Sequence, residues 1–371
     1  MKRIVVLIVL IFSFSVTVNA AGVEDFYTSQ LESSGFDKVE DSLTDEVRTF
    51  LRDNDINVYD ADWVENLGGA NAFKMIWSFV KTGGKRPLLA LAEIMAIIII
   101  YAAINTFTDE NSGIASSLNY IFSVIIALTL IKNIITAVGG AVAAIKGTGV
   151  FMLSFVPVYA GIITVSGAPA TATSSSALLL AAAEFTVQAC AFLIVPLMSS
   201  YLGLGIATGV SPLVKDSGIA EMIKRVTMWV LSFCFTVFMG LLSMQTSISA
   251  SADTLSVKTA KFMVGSFVPV VGSSLSETLT TVISSVSLLK NSGGIYAVIA
   301  IVVMLLPIVT ELLLWRIIII FCQSSSAMFS LPKTSQILKA VDSVLALLIG
   351  IILFVGALFI IALAVVSRVG G

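Results

Sequence analysis

The chain of 371 residues is 57% hydrophobic and 12% charged, with a net charge of −2 and a mean hydropathy of +1.02. Soluble domains carry about 25% charged residues, so this composition argues against a soluble enzyme, a nucleic-acid binder or a disordered scaffold and points to an all-α polytopic membrane protein. There is no His, and the three Cys (Cys190, Cys234, Cys322) sit at unrelated spacings inside apolar runs. Imidazole–zinc sites, Ser–His–Asp and Cys–His triads and Cys-rich clusters therefore drop out, no cofactor or metal is expected, and the cysteines read as small core hydrophobes.

In chain order, Lys2 and Arg3, the apolar stretch Ile4 to Val18 and the small-residue site Val18-Asn19-Ala20 predict a signal peptide over 1–20. An uncleaved first helix is the other reading, although the stretch is short for about 30 Å of hydrocarbon. Residues 21–86 form an acidic extracytoplasmic segment: 13 of the 23 acidic residues lie between Glu24 and Glu65. Val23, Phe26, Tyr27 and Leu31 recur at helical spacing, as do Val47, Phe50 and Leu51 after Ser42 and Thr44 in cap positions. Asp53-Asn54-Asp55-Ile56-Asn57 lacks the Gly and the bidentate Glu of a calcium loop and reads as a solvated face. Phe73, Ile76, Trp77 and Val80 line one face between Lys74 and Lys81, which suits an amphipathic helix in the membrane interface or a packed helix of a small extracytoplasmic domain.

Residues 87–371 form the membrane domain. Its apolar segments are Leu88–Phe107, Leu118–Val138, Val150–Val165, Ala177–Leu202, Val226–Met244, Phe262–Val271, Ile295–Phe321 and Val341–Val366. All but the third and sixth approach the roughly 20 residues a spanning helix needs, which predicts a bundle of about six to eight spans. The two short segments share a pentapeptide: Ser154-Phe155-Val156-Pro157-Val158 recurs 112 positions later as Ser266-Phe267-Val268-Pro269-Val270, each after a Phe-Met pair. Pro196 and Pro307, and Pro212 and Pro332, extend the match and suggest an internal duplication of about 110 residues. Pro157 and Pro269 then become candidate broken-helix elements, re-entrant or lining a cavity, with Thr164, Ser166, Ser273 and Ser274 at hand for freed backbone groups. Pro is also simply commoner in membrane helices than in soluble ones. Gly205 and Gly209, and Gly139-Gly140 with its neighbouring alanines, mark close helix approach.

An ionisable residue at membrane depth costs about 2.5–3.5 kcal/mol on insertion scales, so it should face protein or water. The candidates for a polar path or for helix packing are Glu93, Glu184, Gln188, Glu311 and Arg316. Glu184 and Gln188 stand one turn apart on one face. Glu311 and Arg316 are about 140° apart around their helix, so Glu311 needs a partner elsewhere, Lys132 or Arg316 of a neighbouring protomer. No phosphate-binding GxxxxGK[ST] loop occurs, so an energised role requires a partner ATPase or an ion gradient.

An export signal, an acidic head and a polytopic domain carrying the duplicated Ser-Phe-Val-Pro-Val over Phe151–Val158 and Phe262–Val270 together resemble the stage III sporulation protein AE family of endospore formers. The resemblance implies a non-enzymatic, multi-pass subunit of a secretion-like channel in the mother-cell membrane around the forespore, supporting late forespore gene expression. It implies as partners the lipid bilayer, the other stage III A-operon proteins including an ATPase, and stage II Q in the forespore membrane. It supplies no catalytic residues. A stand-alone secondary transporter using buried carboxylates and a structural membrane anchor remain the alternatives.

Overall fold

A segment that cannot hydrogen-bond to water must satisfy its backbone internally, and the apolar runs after residue 84 accordingly fold as helices. The computed structural model describes residues 37–53, 84–107, 113–165, 168–189, 195–210, 218–267 and 272–368. The expected signal peptide, most of the acidic segment, the interfacial helix expected around Trp77, and Pro269 lie outside the described residues. In chain order the helices are α1 (Asp37–Asp41), α2 (Asp45–Asp53), α3 (Lys85–Asn105), α4 (Gly113–Val165), α5 (Pro169–Ala189), α6 (Val195–Val210), α7 (Ile219–Phe267), α8 (Gly272–Met328) and α9 (Pro332–Arg368). In the acidic part, Val47 and Leu51 are buried as their spacing predicts, and α1 and α2 pack against α4 and α8. The Ser42 hydroxyl turns back to the Val39 carbonyl at 2.6 Å, so it closes α1 instead of capping α2.

Five helices among the described residues are long and apolar enough to cross a membrane: Lys85–Asn105, Ser117–Thr164, Glu221–Thr254, Gly293–Met328 and Pro332–Ser367. The second and third apolar segments of the sequence are one unbroken helix, α4, of 53 residues. The fourth is divided between α5 and α6, and the fifth runs without a break into the first part of the sixth as α7. Pro157 is therefore not at a helix break: it lies inside α4, with its ring exposed. The reason is local. A Pro deprives only the carbonyl four residues earlier, here Leu153, of its donor, and neighbouring packing can hold the helix through it. Thr164 does not serve that carbonyl, because its hydroxyl donates to Ala160 at 2.8 Å.

The repeated pentapeptide works as packing in its first copy. Phe151, Phe155 and Tyr159, one turn apart, stack at ring-centroid distances of 5.6 and 5.1 Å and are fully buried. Small residues set the helix approaches. A Cβ on Gly140 would meet Ile308 of α8 at 3.0 Å, one on Gly149 would meet Val187 of α5 at 2.6 Å, and Gly205 of α6 lies directly against Ala340 of α9. The central pair is α8 with α9, joined by a tight turn. There Leu331 N–H reaches the Ser326 carbonyl at 2.9 Å, Ser330 takes φ 58°, and Pro332 opens α9. This is a Schellman-type stop with Ser where Gly is usual, followed by Pro at the first helical position.

Candidate functional site

Helices α3, α4 and α8 present a common apolar belt. Its exposed side chains include Leu88, Leu89, Ile99 and Ile100 on α3, Ile121, Ile125, Leu128 and Ile131 on α4, and Leu313, Ile317, Ile320 and Phe321 on α8. Two polar edges bound it. At one, Lys333 lies 5.9 Å from the Tyr120 ring centroid, and a cavity of about 600 Å³ is lined by Asn105, Thr106 and Ser330 together with apolar residues of α3 and the end of α8. At the other, a cavity of about 300 Å³ is lined by Arg86 of α3, Lys132, Asn133 and Thr136 of α4, and Glu311 and Trp315 of α8. From Arg86 to Asn105, and from Glu311 to Met328, the rise is about 25–29 Å at 1.5 Å per residue, close to the roughly 30 Å of a hydrocarbon core. A bilayer whose hydrocarbon lies between these two edges would have its headgroups at the charged cavity.

Of the five candidate residues for a polar path, Glu311 alone lines this cavity. It is half-buried, one turn from Trp315, whose indole Nε1 is buried and has no acceptor among the described residues. Lys132, named as a partner for Glu311, lines the same cavity within the same chain. Arg316 is taken up elsewhere: its Nε and Nη2 donate to the two oxygens of Asp342 on α9 at 2.7 and 3.3 Å. Within this chain the guanidinium fork of Arg316 is thus occupied by a two-point match to a carboxylate across the hairpin, and not by Glu311. Glu184 and Gln188 hydrogen-bond one turn apart at 2.8 Å, as their spacing predicts, but on an exposed face of α5. Glu93 is exposed on α3.

The family model for stage III sporulation protein AE matches residues 63–370. The chain belongs to the stage III sporulation protein AE family. It is 27% identical over 240 residues to stage III sporulation protein AE of Bacillus subtilis (strain 168), a match covering 64% of this chain and 58% of that protein. The match thus spans a little more than half the length of that curated relative. No solved structure matches the chain.

In this member of the stage III sporulation protein AE family, two further acidic residues organise the helices without having been singled out from sequence. Asp342 neutralises Arg316 inside the belt, at 32% and 22% side-chain exposure for Arg and Asp. Asp253 of α7 is 3% exposed, and its two oxygens accept the backbone N–H groups of Ala170 and Thr171 at 2.8 and 2.9 Å. Those N–H groups open α5 behind Pro169. A carboxylate from a distant helix therefore meets both the orphan donors and the positive end of the α5 dipole. One turn along both helices, Ser174 and Ser249 hydroxyls lie 2.7 Å apart. Asp253 carries a weak sequence signal, a lone acid near the end of an apolar stretch; its partner is backbone, which residue types do not reveal.

Proposed function

We propose that this family member is a non-enzymatic integral membrane component of a multiprotein, secretion-like channel linking mother cell and forespore, and that it supports late forespore gene expression. In this reading it sits in the mother-cell membrane around the forespore and works with the other stage III A-operon proteins, an ATPase among them, and with stage II Q. The observation that supports it is helix length. Helices α7, α4 and α8 have 49, 53 and 57 residues, about 74, 80 and 86 Å at 1.5 Å per residue. A whole bilayer measures about 40–45 Å, and a tilt within about 40° does not absorb the difference. A lone carrier needs no such overhang, whereas a subunit built to meet other subunits outside the hydrocarbon does. Helix α7 also leaves Met222, Val226, Trp229, Phe233, Val237 and Leu241 exposed along one side.

Affinity capture of the full chain from membranes of sporulating cells tests this reading. Co-purification of other stage III A proteins is expected; a chain recovered only as a homo-oligomer would contradict it. The charged cavity keeps a second reading in view, a stand-alone secondary transporter using Glu311. Normal sporulation with both Glu311→Gln and Glu184→Gln removes the best residues from any conduction path and favours a structural anchor.

A further inference from the structure

We propose that the cavity bounded by Arg86, Lys132, Asn133, Thr136, Glu311 and Trp315 binds a phosphate-bearing anion, with the headgroup of an anionic phospholipid as its occupant. Three observations converge on this. First, two cations and one carboxylate line a single cavity of about 300 Å³, and none of the three charges has an ion pair within 4.0 Å among the described residues. Side chains of opposite charge that share a cavity without pairing leave room for a guest. The space is about ten times the volume of a liquid water molecule, enough for a phosphate group with some water. The net positive balance selects an anion, and guanidinium and ammonium groups are the usual phosphate donors.

Second, Trp315, one of the lining residues, carries a buried indole N–H that has no acceptor among the described residues, on a side chain only 1% exposed. An unsatisfied buried donor costs about 1–3 kcal/mol, which an acceptor reached by a small side-chain adjustment removes. Third, the cavity opens at the edge of the apolar belt, beside exposed Leu88 and Leu89 of α3 and Leu128 and Ile131 of α4. A phospholipid with its phosphate between Arg86 and Lys132 lays its acyl chains along those four side chains. A basic pocket between membrane helices at headgroup depth is the arrangement that holds anionic lipids.

The test uses the full chain in phosphatidylcholine nanodiscs, with phosphatidylglycerol or with inorganic phosphate as the probe. Retained phosphatidylglycerol is counted by native mass spectrometry after release into detergent, and phosphate binding is read from the shift in Tm. Each cation removed, Arg86→Gln or Lys132→Gln, should weaken binding about fivefold, and the double variant about twenty-five-fold. Lys132→Arg should retain it, which separates loss of charge from loss of fold. Glu311→Gln should tighten it, since it removes a like charge from beside the anion. Lys333→Gln, at the opposite edge of the belt, should leave it unchanged. Charge-dependent binding of phosphatidylglycerol supports the lipid occupant; binding of inorganic phosphate alone overturns that occupant and leaves a soluble phosphate in its place. If neither probe binds, or if the double variant binds as the natural sequence does, the cavity is not an anion site.

Discussion

Asp253 and Arg316 show two ways of keeping a charge among membrane helices, and each makes a different demand on its surroundings. Asp253 needs no cation, because two backbone N–H groups at 2.8 and 2.9 Å and the α5 dipole stabilise its charge. Asp253→Ala leaves both donors orphaned at a buried helix start. It should cost about 1–2 kcal/mol, while Asp253→Asn, which keeps one acceptor, should cost less; thermal unfolding in detergent checks the order. Arg316 depends on Asp342. Where such a pair is exposed to water, solvent screens it; where it faces hydrocarbon, nothing does. Asp342→Asn should therefore destabilise by about 3 kcal/mol, the range for breaking a buried pair, and Arg316→Met combined with Asp342→Leu should recover most of the loss. If the double variant is no more stable than Asp342→Asn, the pair is not isolated by the belt as described.

For the helices themselves, the decisive features are stops and close approaches. Ser330 at φ 58° occupies a left-handed position that costs a side-chain-bearing residue roughly 1–2 kcal/mol. Ser330→Gly should raise thermal stability by up to about 1 kcal/mol, since nothing but the turn itself requires a residue there. Gly149 faces Val187 with no space for a Cβ, so Gly149→Ala should separate α4 from α5 and lower stability by about 1–3 kcal/mol. What could be read from sequence follows the same division. Local relations were legible: the Glu184–Gln188 pair, the burial of Val47 and Leu51, and the close approach at Gly205 all follow from helical spacing. Breaks were not. The Gly- and Ala-rich stretch between Val138 and Val150 and the Pro at 157 look like interruptions one residue at a time, yet α4 runs through both because packing against α5 and α8 outweighs propensity. Arg316–Asp342 and the charged cavity depend on which helices become neighbours, 26 and more residues apart, and residue spacing carries no such information.

At the scale of the whole molecule, the belt between two polar edges is what orients the helices toward a bilayer. Composition alone requires a membrane but does not say which length of an 80 Å helix stands in it. The exposed apolar side chains of α3 and α8 do, because they lie between Arg86 and Glu311 on one side and Asn105 and Lys333 on the other, about one hydrocarbon thickness apart, while on α4 the stretch between Tyr120 and Lys132 is shorter, about 18 Å. The lipid site and the overhang offered to partner subunits both follow from that placement. The direct measurement is labelling of single cysteines, in an otherwise cysteine-free full chain in sealed vesicles, with a membrane-impermeant maleimide. Leu128→Cys and Ile317→Cys, both highly exposed on the helix surface, should stay unlabelled, whereas Lys85→Cys and Pro332→Cys should label from opposite faces of the membrane. Labelling of positions 128 and 317 as readily as 85 and 332, or of 85 and 332 from the same face, would contradict the placement.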